Sequence, residues 1–135
     1  MSRAASRIAR STPSVRRSPD PRRAISHLQF VRGLSCLACG RRPPSEAAHV
    51  RVGTDGGTAQ KPSDKFAVPL CAGCHGRQHQ EGELTFWSEL GIDPVDRAMQ
   101  LWTVSGDVEA AERILFRARQ RIALAALKRK WARWG

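Results

Sequence analysis

Two Cys-x-x-Cys motifs restrict the fold of this chain more than any other feature. Cys36 and Cys39 form the first motif, and Cys71 and Cys74 form the second after 31 intervening residues. Two such pairs are typical of a tetrahedral zinc site with four thiolate ligands. The sequence shows no hydrophobic export segment, which favours metal-bound thiolates over disulfides. We therefore expect a structural Zn²⁺ on all four cysteines, which would stabilise a chain with only 6% aromatic residues for its core.

One alternative uses the second motif alone. Cys71-Ala72-Gly73-Cys74-His75 also fits the attachment pattern of c-type haem. Haem attachment requires export, and it would leave Cys36 and Cys39 without a role. A four-thiolate zinc site accounts for more of the sequence.

The charge of the chain is concentrated at its two ends. The net charge is +11, and residues 1–26 contribute seven arginines against one aspartate. Residues 107–135 contribute eight basic side chains against three acidic ones, so residues 27–106 are balanced. This excess favours a polyanionic partner, most simply nucleic acid. No apolar run of about 18 residues is present, so we expect no membrane span.

The pattern of apolar residues and chain breakers predicts an α+β fold in three parts. Residues 1–26 are expected to form a disordered basic arm, with a mitochondrial transit peptide as the alternative. Residues 27–82 are expected to form the zinc-stabilised core, and residues 83–135 a helical C-terminal extension.

Within these parts, the sequence predicts the following elements. Residues 24–31 suggest a short strand or turn, and residues 46–52 and 66–68 suggest two strands. A helix is expected from about Cys74 to His79, ending at Gly82, and a second over residues 84–90, ending at Gly91. Asp93 and Pro94 predict the start of a third helix that runs to about residue 104. A long amphipathic helix to about residue 133 follows, with its apolar face formed by Val108, Ala111, Leu115, Ala118 and Ile122.

Once the cysteines are assigned to zinc, three of the four histidines of the chain are candidate site residues. His75 and His79 are four residues apart on a predicted helix, where they share one face and could bind one metal ion. His49 lies on the first predicted strand of the core. Hydrolysis of a phosphodiester needs a base to deprotonate water and a cation to neutralise developing charge. We expect the three imidazoles to converge at one pocket open to phosphate.

Three segments together resemble the HNH endonuclease family, which has a ββα-metal fold. The segments are Ala48-His49-Val50-Arg51, Lys61-Pro62-Ser63-Asp64 and Pro69-Leu70-Cys71-x-x-Cys74-His75-x-x-x-His79. More closely, they look like the phage-associated branch that contains Ref-like nucleases and DUF968 proteins. The resemblance covers about residues 27–102, including Phe86-Trp87 and Gly91-Ile92-Asp93-Pro94.

The resemblance implies a small zinc-stabilised ββα-metal core and a role for each site residue. His49 takes the place of the general base, and His75 and His79 take the places that hold a catalytic Mg²⁺ or Mn²⁺, with Zn²⁺ as a further option. Asp64 is the nearest counterpart of the family's middle asparagine, which orients the base. Ala48 departs from the family pattern, because many members have a metal ligand there. Cleavage would leave a 5′-phosphate and a 3′-hydroxyl.

Nucleic-acid contacts are expected from basic side chains in the core and on the last helix. A solvated charged face and binding to a membrane surface are the alternatives for this helix, in which Trp131 and Trp134 are interleaved with the charges. The candidate contacts are Arg51, Arg77, Arg117, Arg121, Lys128, Arg129 and Lys130.

These observations predict a metal-dependent HNH-type DNA endonuclease, for which single-stranded DNA is one candidate substrate. A bacterial or phage-infected cytoplasm is the expected location. Two alternatives stay open. The chain could be a zinc-stabilised module that binds nucleic acid without cleaving it, or a nuclease active only with a recombinase partner.

Overall fold

The computed structural model describes residues 21–55 and 61–134, with side chains described over 21–55, 61–120 and 127–132. This part of the chain is a small mixed α/β structure with one two-stranded sheet. In chain order its elements are α1 (Ile25–Arg32), β1 (Glu46–His49), a 3₁₀ turn (Asp64–Phe66), β2 (Ala67–Leu70), α2 (Ala72–Glu81), α3 (Glu83–Leu90), α4 (Pro94–Thr103) and α5 (Val108–Trp134). None of the described helices combines the length and the apolar composition that a membrane-spanning segment requires.

The two strands pair antiparallel, and within each strand successive side chains point to opposite faces of the sheet. Glu46 is opposite Leu70, and His49 is opposite Ala67. All four residues of β2 are buried, whereas burial along β1 alternates. Successive side chains of a strand point to opposite faces. Glu46 therefore shares a face of β1 with buried Ala48, and His49 points to the other face.

The segment predicted as a short strand or turn over residues 24–31 is instead the helix α1, so that prediction is wrong. His27, Leu28 and Val31 are the buried residues of this helix. Their spacing of one, three and four residues fits one face of a helix. Over eight residues this spacing is hard to distinguish from a loose strand alternation, and burial against the rest of the fold decides in favour of the helix.

The folded part of the chain begins before residue 27. Arg23 and the backbone N–H of Ala24 both contact Asp64, which lies on the 3₁₀ turn. Residues 21–26 are thus bound to the core, although the sequence analysis assigned them to a disordered arm. Residues 1–20 of that predicted arm lie outside the described residues.

The other helices are confirmed, with bounds within a few residues of those predicted. Gly82 and Gly91 end α2 and α3, and Gly91 adopts the left-handed conformation that favours glycine, at φ 70°. The side chain of Asp93 accepts from the backbone N–H groups of Val95 and Asp96, which caps α4.

The core lies between the strands and the helices that follow them. It contains buried apolar side chains from the segment after α1 and from β1, β2, α3, α4 and the first half of α5. Ala111, Leu115 and Ala118 of α5 are buried as predicted, but Val108 is 53% exposed. Ile122 of the same predicted face lies outside the described side chains. Residues 127–132 at the end of α5 are exposed.

Candidate functional site

The four cysteines form one compact cluster. Their sulfur atoms all lie within 4.8 Å of one another, and the Sγ atoms of Cys39 and Cys71 are 3.7 Å apart. Four thiolates at a Zn–S distance of 2.3 Å in tetrahedral geometry have sulfurs about 3.8 Å apart. The cysteines are not joined by disulfides. The cluster therefore fits a metal such as zinc, as the spacing of the two motifs predicted.

Two backbone N–H groups of the cluster donate to sulfur atoms. The N–H of Cys39 donates to the sulfur of Cys36, and the N–H of Cys74 donates to the sulfur of Cys71, both at 3.5 Å. Burial by itself raises the pKa of the Cys71 thiol, but hydrogen bonds from Cys74 and the neighbouring thiols outweigh it and lower the pKa to about 7. Burial raises the pKa of Cys74, so its proton leaves most readily when a cation takes its place.

A second cluster forms around His49 at the end of β1. The Nε2 atom of His49 is 2.9 Å from Oδ1 of Asp64. Asp64 is 1% exposed and the side chain of His49 is 12% exposed. Oδ1 of Asp64 also accepts from the Arg23 guanidinium at 2.8 Å, and its Oδ2 accepts from the Ala24 N–H at 2.7 Å. The carboxylate is thus held from two further directions and cannot turn away from the imidazole.

The charges of this cluster determine which nitrogen of His49 is basic. Burial raises the pKa of the Asp64 carboxyl, but hydrogen bonds from Ala24 and His49 and the Arg23 cation outweigh it, so the pKa is below its usual range. An ionised carboxylate accepts hydrogen bonds only, so Nε2 of His49 carries the proton and Nδ1 has the free electron pair. Burial lowers the pKa of His49, and Lys61 and Arg23 lower it further, while Asp64 opposes this in part. His49 is therefore neutral at neutral pH.

A third cluster lies on the exposed side of α2. The rings of His75 and His79 are adjacent, with centroids 4.7 Å apart. Nδ1 of His75 is 2.6 Å from Oε1 of Glu46, the first residue of β1. The side chain of Glu46 is 54% exposed. The helical spacing correctly predicted the adjacency of the two histidines.

The three histidines do not together form one group of ligand atoms within 4.8 Å of one another. Within the described part of the chain, the group whose possible ligand atoms all lie within 4.8 Å of one another consists of the four cysteines. Glu46, which contacts His75, is three residues before His49 on β1 and so faces the opposite side of the strand. His75 thus contacts the first residue of β1, whereas His49, its last residue, contacts Asp64.

The predicted nucleic-acid contacts are spread over the surface. Arg77 is exposed, pairs with Glu81 at 3.2 Å and lies over the ring of Phe86. Arg51 is exposed beside the loop after β1, where its backbone N–H donates to Glu83. Side chains at four further predicted positions are exposed, and the fifth, Arg121, lies outside the described side chains. The four are Arg117, Lys128, Arg129 and Lys130.

Sequence reasoning missed two residues of these clusters and two contacts that position α5. Glu46 and Arg23 had no motif to mark them, because their partners lie 29 and 41 residues away. Arg119 donates to the carbonyl oxygen of Cys36 at 2.8 Å, and Glu112 accepts from the N–H of Ser35 at 2.8 Å. These bonds attach α5 directly to the first cysteine motif.

Comparison with known proteins identifies a family without an assigned activity. No curated protein and no solved structure matches the chain significantly. The family model described as "Protein of unknown function (DUF968)" matches residues 12–101, about two thirds of the chain. This match includes the four cysteines, the three histidines and Asp64. The chain belongs to the DUF968 family.

Proposed function

We propose that this protein is a metal-dependent HNH-type endonuclease that hydrolyses phosphodiester bonds of DNA in the cytoplasm of a bacterium or a phage-infected cell. The observation that carries the proposal is the contact between His49 and the buried carboxylate of Asp64. A neutral imidazole oriented by a fixed carboxylate is the arrangement that a general base requires.

The roles of the two residues follow from their protonation. Nδ1 of His49 would accept a proton from water, and the resulting hydroxide would attack phosphorus. Asp64 would hold the ring in the required tautomer and stabilise the imidazolium that forms. Because Asp64 is itself held by Arg23 and Ala24, the ring loses little freedom when it reacts.

The divalent ion belongs to the histidine pair on α2 in this proposal. His75 and His79 would hold it, and when bound it would offset the charge on the scissile phosphate and on the leaving 3′ oxygen. The thiolate zinc has a supporting role, because Cys71 directly precedes α2 and so positions the helix relative to β2. Exposed Lys128, Arg129 and Lys130 would supply phosphate contacts without reading sequence.

A second candidate function is a zinc-stabilised module that binds nucleic acid without cleaving it. Ala48 favours this function, because many HNH nucleases have a metal ligand at this position and alanine offers no ligand atom. A related proposal is a nuclease that becomes active only when a recombinase partner binds. The partner would place both His49 and the His75/His79 pair against the DNA.

Plasmid nicking tests the first proposal against the second. Supercoiled plasmid is incubated with protein loaded with one equivalent of Zn²⁺, across a series of Mg²⁺, Mn²⁺ and further Zn²⁺ concentrations. The expected result is metal-dependent nicking that falls by roughly 10²–10⁴-fold in His49→Ala, the contribution of a general base. His75→Ala should lose nicking at low metal concentration and regain part of it at high concentration.

Controls separate catalysis from folding. Gln80→Ala removes an exposed side chain of α2 and should nick like wild type. Asp64→Asn should lower both nicking and the melting temperature, because the amide cannot satisfy all of the donors now on the carboxylate. Nicking by His49→Ala at the wild-type rate would exclude His49 as the base. DNA binding without nicking under any metal would favour the binding module, and nicking that appears only with added recombinase would identify the partner-dependent enzyme.

A further inference from the structure

The residue before the proposed base cannot bind metal in this chain. Position 48 is alanine, and Ala48 is 1% exposed within the core. Its methyl group packs among the apolar residues that also surround the cysteines. The alanine side chain offers no oxygen, nitrogen or sulfur atom to a metal or to the histidines of α2. A polar partner for the histidines must therefore come from another position.

Glu46 provides such a partner on the same face of the same strand. Residues two apart in a strand share a face, so Glu46 and Ala48 share one face of β1. Glu46 contacts α2 from this face. Oε1 of Glu46 is 2.6 Å from Nδ1 of His75. This distance is at the short end for a hydrogen bond to a charged acceptor, and such bonds are stronger than neutral ones.

The geometry distinguishes between two roles for Glu46. If Glu46 were a third ligand, it, His75 and His79 would each place one ligand atom within about 4–5 Å of the other two. These side chains do not form such a group, whereas the four cysteines do. Glu46 instead contacts Nδ1 of His75, one of the two ring nitrogens through which histidine can bind metal. A carboxylate that accepts from Nδ1 leaves the electron pair on Nε2.

We infer that Glu46 is a positioning residue that keeps His75 as the Nδ1–H tautomer and directs its Nε2 to a divalent cation shared with His79. The inference rests on the proposed function for the existence of this cation. It adds a residue that the motifs do not contain. Ligand histidines commonly donate their second nitrogen to a carboxylate, which orients the ring and raises its basicity.

Two measurements on full-length protein loaded with one equivalent of Zn²⁺ test the inference. Long-range ¹H–¹⁵N correlation spectra report the tautomer of His75 without any added metal. Isothermal titration with Mn²⁺ reports the affinity of the histidine pair. In Glu46→Gln, we expect His75 to shift toward the Nε2–H tautomer and Mn²⁺ affinity to fall about 10–100-fold. Nicking should then need a correspondingly higher Mn²⁺ concentration.

Glu81→Gln is the matched control, because it removes the same charge from an exposed glutamate at the end of α2. It should change neither the tautomer of His75 nor the Mn²⁺ affinity. Equal affinities and tautomers in the two variants would overturn the inference about Glu46. If wild-type protein binds no Mn²⁺ that His75→Ala or His79→Ala removes, the metal pair of the proposed function fails instead, and the metal-directing role of Glu46 fails with it.

Discussion

His49 and His27 differ in the hydrogen-bond acceptors that their rings contact. Asp64 supplies a strong acceptor for His49, whereas His27 has a weaker partner. His27 is 2% exposed, and its Nδ1 is 2.8 Å from Oγ of Ser105. Its Nε2 is buried with no hydrogen-bond partner among the described residues. The ring meets Trp102 edge-on with centroids 4.8 Å apart, so it packs as an aromatic side chain.

The burial of His27 predicts a loss of stability in mild acid. Burial lowers the pKa of His27, and the nearby Asp64 carboxylate opposes this only in part. The unfolded chain takes up a proton near pH 6.5, but the folded protein does so only at lower pH. Stability is therefore complete above about pH 6.5 and decreases as the pH falls below it. His49 contributes in the same direction, because its pKa is also lowered.

Thermal melts from pH 7.5 to 5.5 measure this dependence. His27→Phe keeps the aromatic contact with Trp102 and removes the titrating group, so its melting temperature should depend less on pH than that of wild type. The loss of the Ser105 hydrogen bond should cost the variant about 1 kcal/mol at pH 7.5. An equally steep pH dependence in the two proteins would show that His27 does not contribute.

At the scale of elements, α5 has two halves with different roles. Its first half packs into the core through Ala111, Leu115 and Ala118. Arg119 and Glu112 attach the same half to the segment that contains Cys36. The last turns expose Leu127 at 42%, Trp131 at 66% and the basic residues between them. This half is therefore positioned by the core but available to a partner.

Substitution of the exposed basic residues should reduce the salt dependence of DNA binding. The test is the triple variant Lys128→Gln, Arg129→Gln, Lys130→Gln. The slope of log K against log salt is negative, and each lost phosphate contact should make it less steep by about 0.9 on duplex DNA. The melting temperature should not change, because these side chains are exposed. Fluorescence anisotropy of labelled duplex DNA at about 50 to 300 mM salt measures the slope.

Arg113→Gln is the control for this experiment. Arg113 is also exposed on α5, but it pairs with Glu109 and lies on the first half of the helix. It should leave the slope near the wild-type value. Identical slopes for wild type and the triple variant would show that the end of α5 does not contact phosphate.

At the scale of the whole molecule, the cysteine cluster joins three parts of the fold. Cys36 and Cys39 follow α1, Cys71 and Cys74 join β2 to α2, and Arg119 links the first pair to α5. Structural zinc in small domains contributes roughly 10–16 kcal/mol, which is comparable to or larger than the total stability of most domains. Loss of zinc should therefore unfold the described core as a unit.

Chelation tests this coupling directly. Incubation with 1,10-phenanthroline should release one equivalent of zinc and abolish cooperative thermal unfolding. The non-chelating isomer 1,7-phenanthroline should leave the melt unchanged and is the matched control. Cys39→Ser should weaken zinc binding and lower the melting temperature in the same way. A melt that is indifferent to the chelator would exclude a structural role for zinc, and a Soret absorption band would instead indicate haem.

Features with local causes were predicted well. Capping residues and glycines defined α2, α3 and α4 within a few residues, because helix ends depend on the side chains next to them. The Cys-x-x-Cys spacing predicted the metal cluster, since each pair already presents two thiolates on one turn. In contrast, α1 was missed, because eight residues hold too little periodic signal and burial by distant elements decides their conformation.

The sequence by itself therefore determined which residues can form the site: four thiolates, a histidine pair at helical spacing, and a basic last helix. Only the tertiary structure decided how they are grouped. Packing of the elements brought Glu46 to His75 and His49 to Asp64, and the approach of residues 23 and 24 enclosed Asp64. Such contacts join residues 15 to 41 positions apart, so they depend on how whole elements pack, which local sequence patterns do not encode.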